Sequence, residues 1–141
     1  MKVYINGHME NDPVISKNRG FLYGDGFFET LIWKNNSIRL WPYHFQRIQE
    51  AFNSFQFKQL PNSSDLKAQI SQLVQENNLG NDARIKMVFW RSYGGLYTPE
   101  LSDFEYLIEV KESHNQLFKR TEKAVFAKDI YLSHHKLSKF K

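Results

Sequence analysis

The 141-residue sequence contains no cysteine, which excludes disulfide-stapled scaffolds, thiolate metal centres and cysteine nucleophiles. This absence fits a reducing compartment, and we expect a cytoplasmic protein. Long apolar runs are missing as well, since no segment approaches the ~18 residues that a membrane span needs. The amino terminus also lacks the apolar stretch of a secretory signal peptide. We therefore expect neither a membrane partner nor disulfide cross-links.

Aromatic residues are abundant: the chain has 12 phenylalanines, 7 tyrosines and 3 tryptophans. A chain of this length and composition can bury a core, which argues against disorder. The net charge of +4 is unevenly placed, because residues 1–110 carry 11 basic and 12 acidic side chains whereas residues 111–141 carry 8 and 3. Composition alone would therefore favour binding of nucleic acid or another anion by the carboxyl-terminal stretch.

Apolar periodicity predicts a single α+β domain with a mixed sheet and two helices. One helix begins near Pro42 and carries apolar residues through Phe55, and a second runs from about residue 64 to 78 with Ser64 or Asp65 as its N-cap. The glycine-rich segment 11–26 is expected to be loop. Strands are expected over residues 3–5, 8–10, 27–33, 38–40, 84–90, 104–110 and 124–131.

Common cofactor and metal motifs are absent. Gly24–Asp25–Gly26 lacks the third glycine of a dinucleotide fingerprint, and no H-E-x-x-H pattern occurs. His134 and His135 are adjacent, so on a strand their side chains would point to opposite faces. The sequence therefore predicts no metal site.

One ordered set of residues between positions 19 and 47 is far more specific. It consists of Arg19–Gly20, Gly24–Asp25–Gly26, Phe28–Glu29–Thr30, His44 and Arg47. This set resembles the amino-terminal pattern of the class IV, or fold-type IV, pyridoxal-phosphate-dependent aminotransferases. That family includes branched-chain and D-amino-acid aminotransferases and 4-amino-4-deoxychorismate lyase.

Two later segments are similar to the same family. The strand from Arg84 to Arg91, followed by Gly94–Gly95, resembles its arginine-containing strand and turn, although Ser92 stands where the family pattern has glycine. The segment 137–141 resembles the stretch that leads into the cofactor lysine.

The resemblance implies a domain organisation, a cofactor and partners. Residues 1–123 would form the N-terminal small domain of a D-amino-acid-aminotransferase-like enzyme. Residues 124–141 would begin the interdomain segment and a second domain that this chain lacks, so the chain alone would be inactive. Pyridoxal 5′-phosphate is the implied cofactor and a homodimer the implied assembly, without nucleic acid. The alternative is a non-enzymatic anion- or nucleic-acid-binding module with Tyr131 and Phe140 as stacking groups.

Lys141 is the candidate for the lysine that carries the cofactor, with Lys136 as its rival. We prefer Lys141 because Ser138 then lies three residues upstream, as in several family members. Such a lysine must be accessible and partly deprotonated, and once released it can act as general base and acid. By resemblance to the family, Arg47 is the candidate for binding the cofactor's 5′-phosphate, and its guanidinium fork suits a phosphate; the alternative is a surface helix arginine.

Arg84, Arg91, Phe28 and Tyr23 are the candidate substrate-binding residues by resemblance. Arg84 would lie near the substrate carboxylate, although a surface ion pair would also explain it. Because they are seven residues apart on one predicted strand, Arg84 and Arg91 should point to opposite faces. Phe28 and Tyr23 would line the pocket or belong to the core.

Asp25 and Glu29 are expected to be structural residues, Asp25 in a turn and Glu29 in a local cap or pair. The resemblance leaves two reactions open. One is an aminodeoxychorismate lyase, a step of folate biosynthesis that forms 4-aminobenzoate and pyruvate. The other is an aminotransferase acting on D- or branched-chain amino acids. The compact start at residues 3–8 resembles the lyase and D-amino-acid branches more than the branched-chain branch, so we lean towards the lyase.

Overall fold

A computed structural model describes residues 2–11 and 18–113 together with Phe140. The elements along the chain are β1 (Lys2–Ile5), β2 (His8–Asn11), α1 (Arg19–Tyr23), β3 (Gly26–Lys34), β4 (Ser37–Ile38), α2 (Trp41–Phe55), α3 (Ser63–Glu76), β5 (Asp82–Arg91) and β6 (Phe104–Glu112). The strand predicted over 124–131, the domain boundary predicted at residue 123 and the histidine pair at 134–135 lie outside the described residues.

The described strands form one sheet in the order β2-β1-β6-β5-β3-β4. Every pairing among these described strands is antiparallel, which corrects the expectation of a mixed sheet for this part of the chain. The cause lies in the connections. The pair α2 and α3 carries the chain away and back, so that β5 starts with Asp82 beside Lys34, where β3 ended. A parallel strand would have to start from the opposite end of β3.

Burial alternates along β3 and β5, which gives the sheet one face packed under α2 and α3 and one more open face. The helices contribute their predicted apolar sides to the packed face. Phenylalanine rings fill one end of this core, where Phe27 stacks on Phe89 with ring centroids 5.0 Å apart. The buried residues that β3, α2 and β5 contribute to the core cluster are Phe27, Leu31, Trp33, Trp41, Ile48, Ala51, Phe52, Ala83, Ile85, Met87 and Phe89.

The two predicted helices are confirmed, with a correction at the start of α3. Its N-cap is Asn62, whose side-chain oxygen accepts hydrogen bonds from the backbone N–H groups of Ser64 at 2.7 Å and Asp65 at 3.3 Å. Ser64 and Asp65 are therefore helical residues. Asn62 is the last residue with extended backbone, which is what an N-cap requires.

The short helix α1 occupies part of the segment that was expected to be loop. Asn18 caps it by accepting from the N–H of Phe21 at 2.8 Å, and Gly24 ends it in the left-handed conformation. Five residues that include a glycine have little helical tendency of their own. This helix therefore depends on its tertiary contacts with β3 and β5.

The two glycines that flank Asp25 are needed for different reasons. Gly24 has a φ of +66°, but a Cβ added there would meet nothing within 4 Å. Gly26 begins β3, and a Cβ added there would lie 2.3 Å from the carbonyl oxygen of Phe89. Position 24 is thus constrained by conformation and position 26 by the close approach of the neighbouring strand.

Gly26→Ala should lower the free energy of unfolding by about 2–4 kcal/mol, because β3 and β5 must separate locally to admit the methyl group. The matched change Gly24→Ala should cost only about 1–2 kcal/mol, the cost of a left-handed alanine. Urea denaturation of both variants measures the difference. Equal losses would contradict the close-approach explanation.

Candidate active site

A buried carboxylate connects the strand β3 to two residues of α2. Glu29 lies on the packed face of β3 and is only 3% exposed. His44 Nδ1 lies 2.7 Å from Glu29 Oε1, and Arg47 Nη2 lies 3.2 Å from Glu29 Oε2. His44 and Arg47 are three positions apart on the helix, so their side chains lie on one side of it and reach the same carboxylate.

Glu29 anchors Arg47 but does not occupy all of its hydrogen-bond donors. Its side chain is 43% exposed, and Glu29 contacts only one of its three guanidinium nitrogens. Within the described part of the chain, the other two nitrogens have no hydrogen-bond partner. A half-exposed guanidinium with donors left over has the donor set that a phosphate accepts, so this position fits the phosphate of pyridoxal phosphate.

A second carboxylate is shared by two buried arginines. Asp25 Oδ2 lies 3.0 Å from Arg19 Nε and 3.0 Å from Arg91 Nε. Arg19 is 1% exposed, and its Nη1 lies within 3.1 Å of three successive carbonyl oxygens, those of residues 94 to 96. Asp25, which directly precedes β3, therefore joins α1 to β5 through the two arginines, and Arg19 joins this unit to the loop after β5.

All three guanidinium nitrogens of Arg91 have partners within the protein. Besides Asp25, Nη2 donates to the carbonyl oxygen of Phe55 at 2.7 Å and Nη1 to that of Leu101 at 3.4 Å. The guanidinium also lies over the ring of Phe57, 4.9 Å from its centroid. A substrate contact for Arg91 stays a prediction, and the structure gives this side chain a well-defined role in packing.

The open face of the sheet carries a cavity of about 430 Å³ beside α1. Phe21, Phe28, Val88 and Leu107 form apolar walls, and Lys86 contributes the charge. The ammonium group of Lys86 lies 4.8 Å from the ring centroid of Phe28, a favourable cation–π distance. This arrangement can hold a partly apolar ligand that carries a negative group.

Arg84 lies on the same open face and is exposed, whereas Arg91 is buried with the packed face, as their spacing predicted. A small pocket of about 160 Å³ brings Arg84 together with Lys86, Glu109 and Lys111. Lys111 is paired with Glu109. Among the described residues, no carboxylate lies within ion-pair distance of Arg84, so the alternative of a surface ion pair gains no support.

Tyr23 and Phe28 do not belong to the core, whose member in this segment is Phe27. Phe28 is half-buried on the open face. Tyr23 is exposed at the end of α1, where it meets Tyr97 edge to face with ring centroids 6.1 Å apart and the Arg19 guanidinium at 4.8 Å. Phe28 and Arg84 thus lie on the open face of the sheet, each near Lys86, whereas Arg47 lies on the packed face.

Lys141 and Lys136 lie outside the described residues, as does Tyr131. Phe140, which precedes Lys141 in the sequence, is described. Its ring packs near Phe27 and Phe55, with centroids 6.1 and 6.2 Å away. Because this ring contacts the core, it is not presented as an open stacking platform for a nucleic-acid base.

Two functional candidates were missed from the sequence. Lys86 follows Arg84 by two positions and so shares its face, a signal that was present in the strand pattern. Its contact with Phe28 depends on the register that sets Lys86 opposite Thr30. The pairing of Glu29 with Arg47 was also not anticipated, because it requires knowing which side of α2 faces β3.

The described helices include none that is long and apolar enough to cross a membrane. Among the side chains that the structure describes, no three histidine, aspartate or glutamate residues cluster as they would around a metal ion.

Comparison with known proteins gives matches in sequence and in fold. The family model for class IV amino-transferases matches residues 26–141. The aminodeoxychorismate lyase of Bacillus subtilis (strain 168) is 28% identical over 89 residues, which cover 60% of this chain and 30% of that protein.

Solved structures share the fold at low sequence identity. The 4-amino-4-deoxychorismate lyase of Pseudomonas aeruginosa superposes with a TM-score of 0.64 and 20% identity over 78% of this chain and 39% of its own. The branched-chain amino acid aminotransferase of Thermobaculum terrenum, solved in its PLP-form, superposes with a TM-score of 0.68 and 12% identity over 80% of this chain and 40% of its own. The chain thus spans about two fifths of the length of these structures.

Asp25→Asn should lower the free energy of unfolding by about 3–5 kcal/mol, because two buried guanidinium groups then lose their counter-charge. Asp103→Asn is the matched control, since Asp103 pairs with Lys58 at 3.7 Å in an exposed position. That change should cost less than about 1 kcal/mol. Chemical denaturation compares them, and a small loss for Asp25→Asn would contradict the role of the shared carboxylate.

Proposed function

The chain belongs to the class IV aminotransferase family, and we propose that the protein is a pyridoxal-5′-phosphate-dependent enzyme. The family is enzymatic, and the described residues have the fold of the N-terminal domain of fold-type IV aminotransferases. The observation that carries the proposal is Arg47, a helix arginine anchored by a buried carboxylate with donors left for a phosphate. A structural neighbour solved in its PLP-form supports the same cofactor class.

Several residues of this chain have a chemical role in this proposal. Pyridoxal phosphate, when bound, supplies the electron sink for negative charge at the substrate Cα. Arg47 binds its phosphate, and Lys141 carries it through Nζ, with Lys136 as the rival position. The Nζ amine of Lys141 would take a proton from the substrate Cα as general base and would deliver it, as general acid, to the departing pyruvate. Arg84 and Lys86 bind substrate carboxylate, and Phe28 provides an apolar wall.

The proposed reaction is that of an aminodeoxychorismate lyase, which releases 4-aminobenzoate and pyruvate. Both products are carboxylates, so the substrate carries two. Arg84 on the open face has no carboxylate partner among the described residues, and Lys86 lies two positions away on the same strand. Two neighbouring cations suit a substrate with two carboxylates. The similarity to the lyase of Bacillus subtilis supports this choice.

An aminotransferase acting on D- or branched-chain amino acids is the second candidate. Its support is the fold match to a branched-chain amino acid aminotransferase, with a TM-score of 0.68. Such a substrate carries a single α-carboxylate and an aliphatic side chain, which the cavity beside Phe28 and Val88 could also hold.

A homodimer and a cytoplasmic location complete the proposal. The helix α1 and the loop after β5 expose apolar side chains, among them Phe21, Leu96 and Tyr97. Arg19 holds the two segments together through its carbonyl contacts, so these side chains are presented on a joined surface. Exposed apolar side chains gathered on one surface are typical of protein interfaces.

Borohydride reduction of the full-length protein with pyridoxal phosphate should attach the cofactor covalently to Lys141. Mass spectrometry of peptides locates the label, and Lys141→Ala should abolish both the label and the visible absorption of the bound cofactor. Lys136→Ala is the matched control and should retain both. A label on Lys136, or none on any lysine, would contradict the assignment.

Product analysis decides between the two reactions. The full-length protein should release 4-aminobenzoate and pyruvate from aminodeoxychorismate, and Arg84→Ala should raise KM by about tenfold through loss of one charged contact. A panel of D- and branched-chain amino acids with 2-oxo acid acceptors serves as the control. Amino-group transfer without pyruvate release from aminodeoxychorismate would favour the aminotransferase.

A further inference from the structure

We propose that Glu29 is the positioning residue for Arg47: its carboxylate holds the guanidinium so that the remaining N–H donors face the cofactor phosphate. His44 in turn holds the carboxylate. This inference rests on the proposed function, because the phosphate in question is that of pyridoxal phosphate.

The position of the Glu29 carboxylate is set by the sheet and by its contact with His44. Glu29 pairs with Met87 in the middle of the long β3–β5 ladder, and its side chain is almost fully buried. His44 contacts Oε1 at 2.7 Å, which leaves Oε2 for Arg47. A carboxylate fixed at both oxygens has little freedom to turn, so it can define a direction for a longer side chain.

Arg47 needs such an anchor. Its side chain has many rotamers, and ordering them on ligand binding costs entropy. The contact from Nη2 to Glu29 offsets part of this cost before the phosphate arrives. It engages one nitrogen and leaves Nε and Nη1 without a partner among the described residues. The anchored guanidinium therefore keeps enough donors for a phosphate.

The alternative is a contact that serves stability alone, and the geometry argues against it. At Asp25, Arg19 and Arg91 are buried, and protein acceptors contact all three guanidinium nitrogens of Arg91 and the Nε and Nη1 of Arg19. Arg47 instead leaves 43% of its side chain exposed and, within the described ranges, two nitrogens unused. Because the Glu29 carboxylate is buried, the contact also stabilises the fold, but stability alone does not require that two donors of Arg47 be left exposed. Its value lies in where it directs the remaining donors.

The test compares dissociation constants for pyridoxal phosphate and for pyridoxal, which lacks the phosphate, in the full-length protein. Arg47→Met should raise the constant for pyridoxal phosphate by about 100-fold, since two charge-assisted hydrogen bonds are lost. Glu29→Gln keeps the shape but loses the charge that holds Arg47, and it should raise that constant by about tenfold. Neither variant should change the constant for pyridoxal more than about twofold.

Asp82→Asn is the matched control. Asp82 lies at the start of β5, and its carboxylate is 3.9 Å from the ammonium group of Lys34. Removing this carboxylate should leave the dissociation constants for pyridoxal phosphate and for pyridoxal unchanged. Should Glu29→Gln fail to fold, His44→Ala removes the other anchor of the carboxylate. It should raise the constant for pyridoxal phosphate while leaving that for pyridoxal unchanged.

The outcomes separate the inference from the function on which it rests. Equal weakening of pyridoxal and pyridoxal phosphate by Glu29→Gln would overturn the inference, because a purely structural role affects both ligands. Unchanged binding of pyridoxal phosphate in that variant would overturn it too, with the proposed function intact. A wild-type protein that binds no pyridoxal phosphate would overturn the proposed function and the inference together.

Discussion

The carboxylate of Asp25 is the contact on which the architecture around the candidate site depends. A single oxygen accepts from Arg19 and Arg91, which lie 72 positions apart in the sequence and are both buried. Two cations can share one anion here because backbone carbonyl oxygens accept from Nη1 of Arg19 and from both Nη atoms of Arg91. Those carbonyls belong to the loop after β5 and to the end of α2. One side chain thus joins helix, strand and loop into a common unit.

Consecutive residues of β3 serve opposite faces of the sheet. Phe28 points to the open face, where Lys86 and Arg84 gather positive charge, whereas Glu29 points under α2 and holds Arg47. This division follows from the two-residue period of a strand. It allows a short motif to contribute both to the proposed substrate surface and to the anchoring of Arg47, the proposed phosphate-binding residue. The strand is held from β5 along its whole length, so both contributions have fixed positions.

The proposed chemistry uses few side chains of this chain for any reactive step. Arg47 orients, Arg84 and Lys86 attract carboxylate, and the proton transfer falls to a single lysine. Such a division is expected where a cofactor supplies the difficult chemistry and the protein supplies binding and orientation. It also fits the contacts of Arg19, Arg47 and Arg91, whose guanidinium groups are held by carboxylates or carbonyl oxygens before any ligand is present.

Sequence by itself determined the class of elements and the family. The apolar periods that predicted α2, α3 and the central strands are local properties of the chain, and so is the ordered motif from Arg19 to Arg47. Local patterns did not reveal the antiparallel sheet, the short helix α1 or the cap at Asn62. Only the tertiary structure decided that Asp25 joins two arginines, that Glu29 holds Arg47 and that Lys86 covers Phe28. Each of these contacts joins residues that strand register or helix packing brings together. The local sequence does not fix strand register or helix packing.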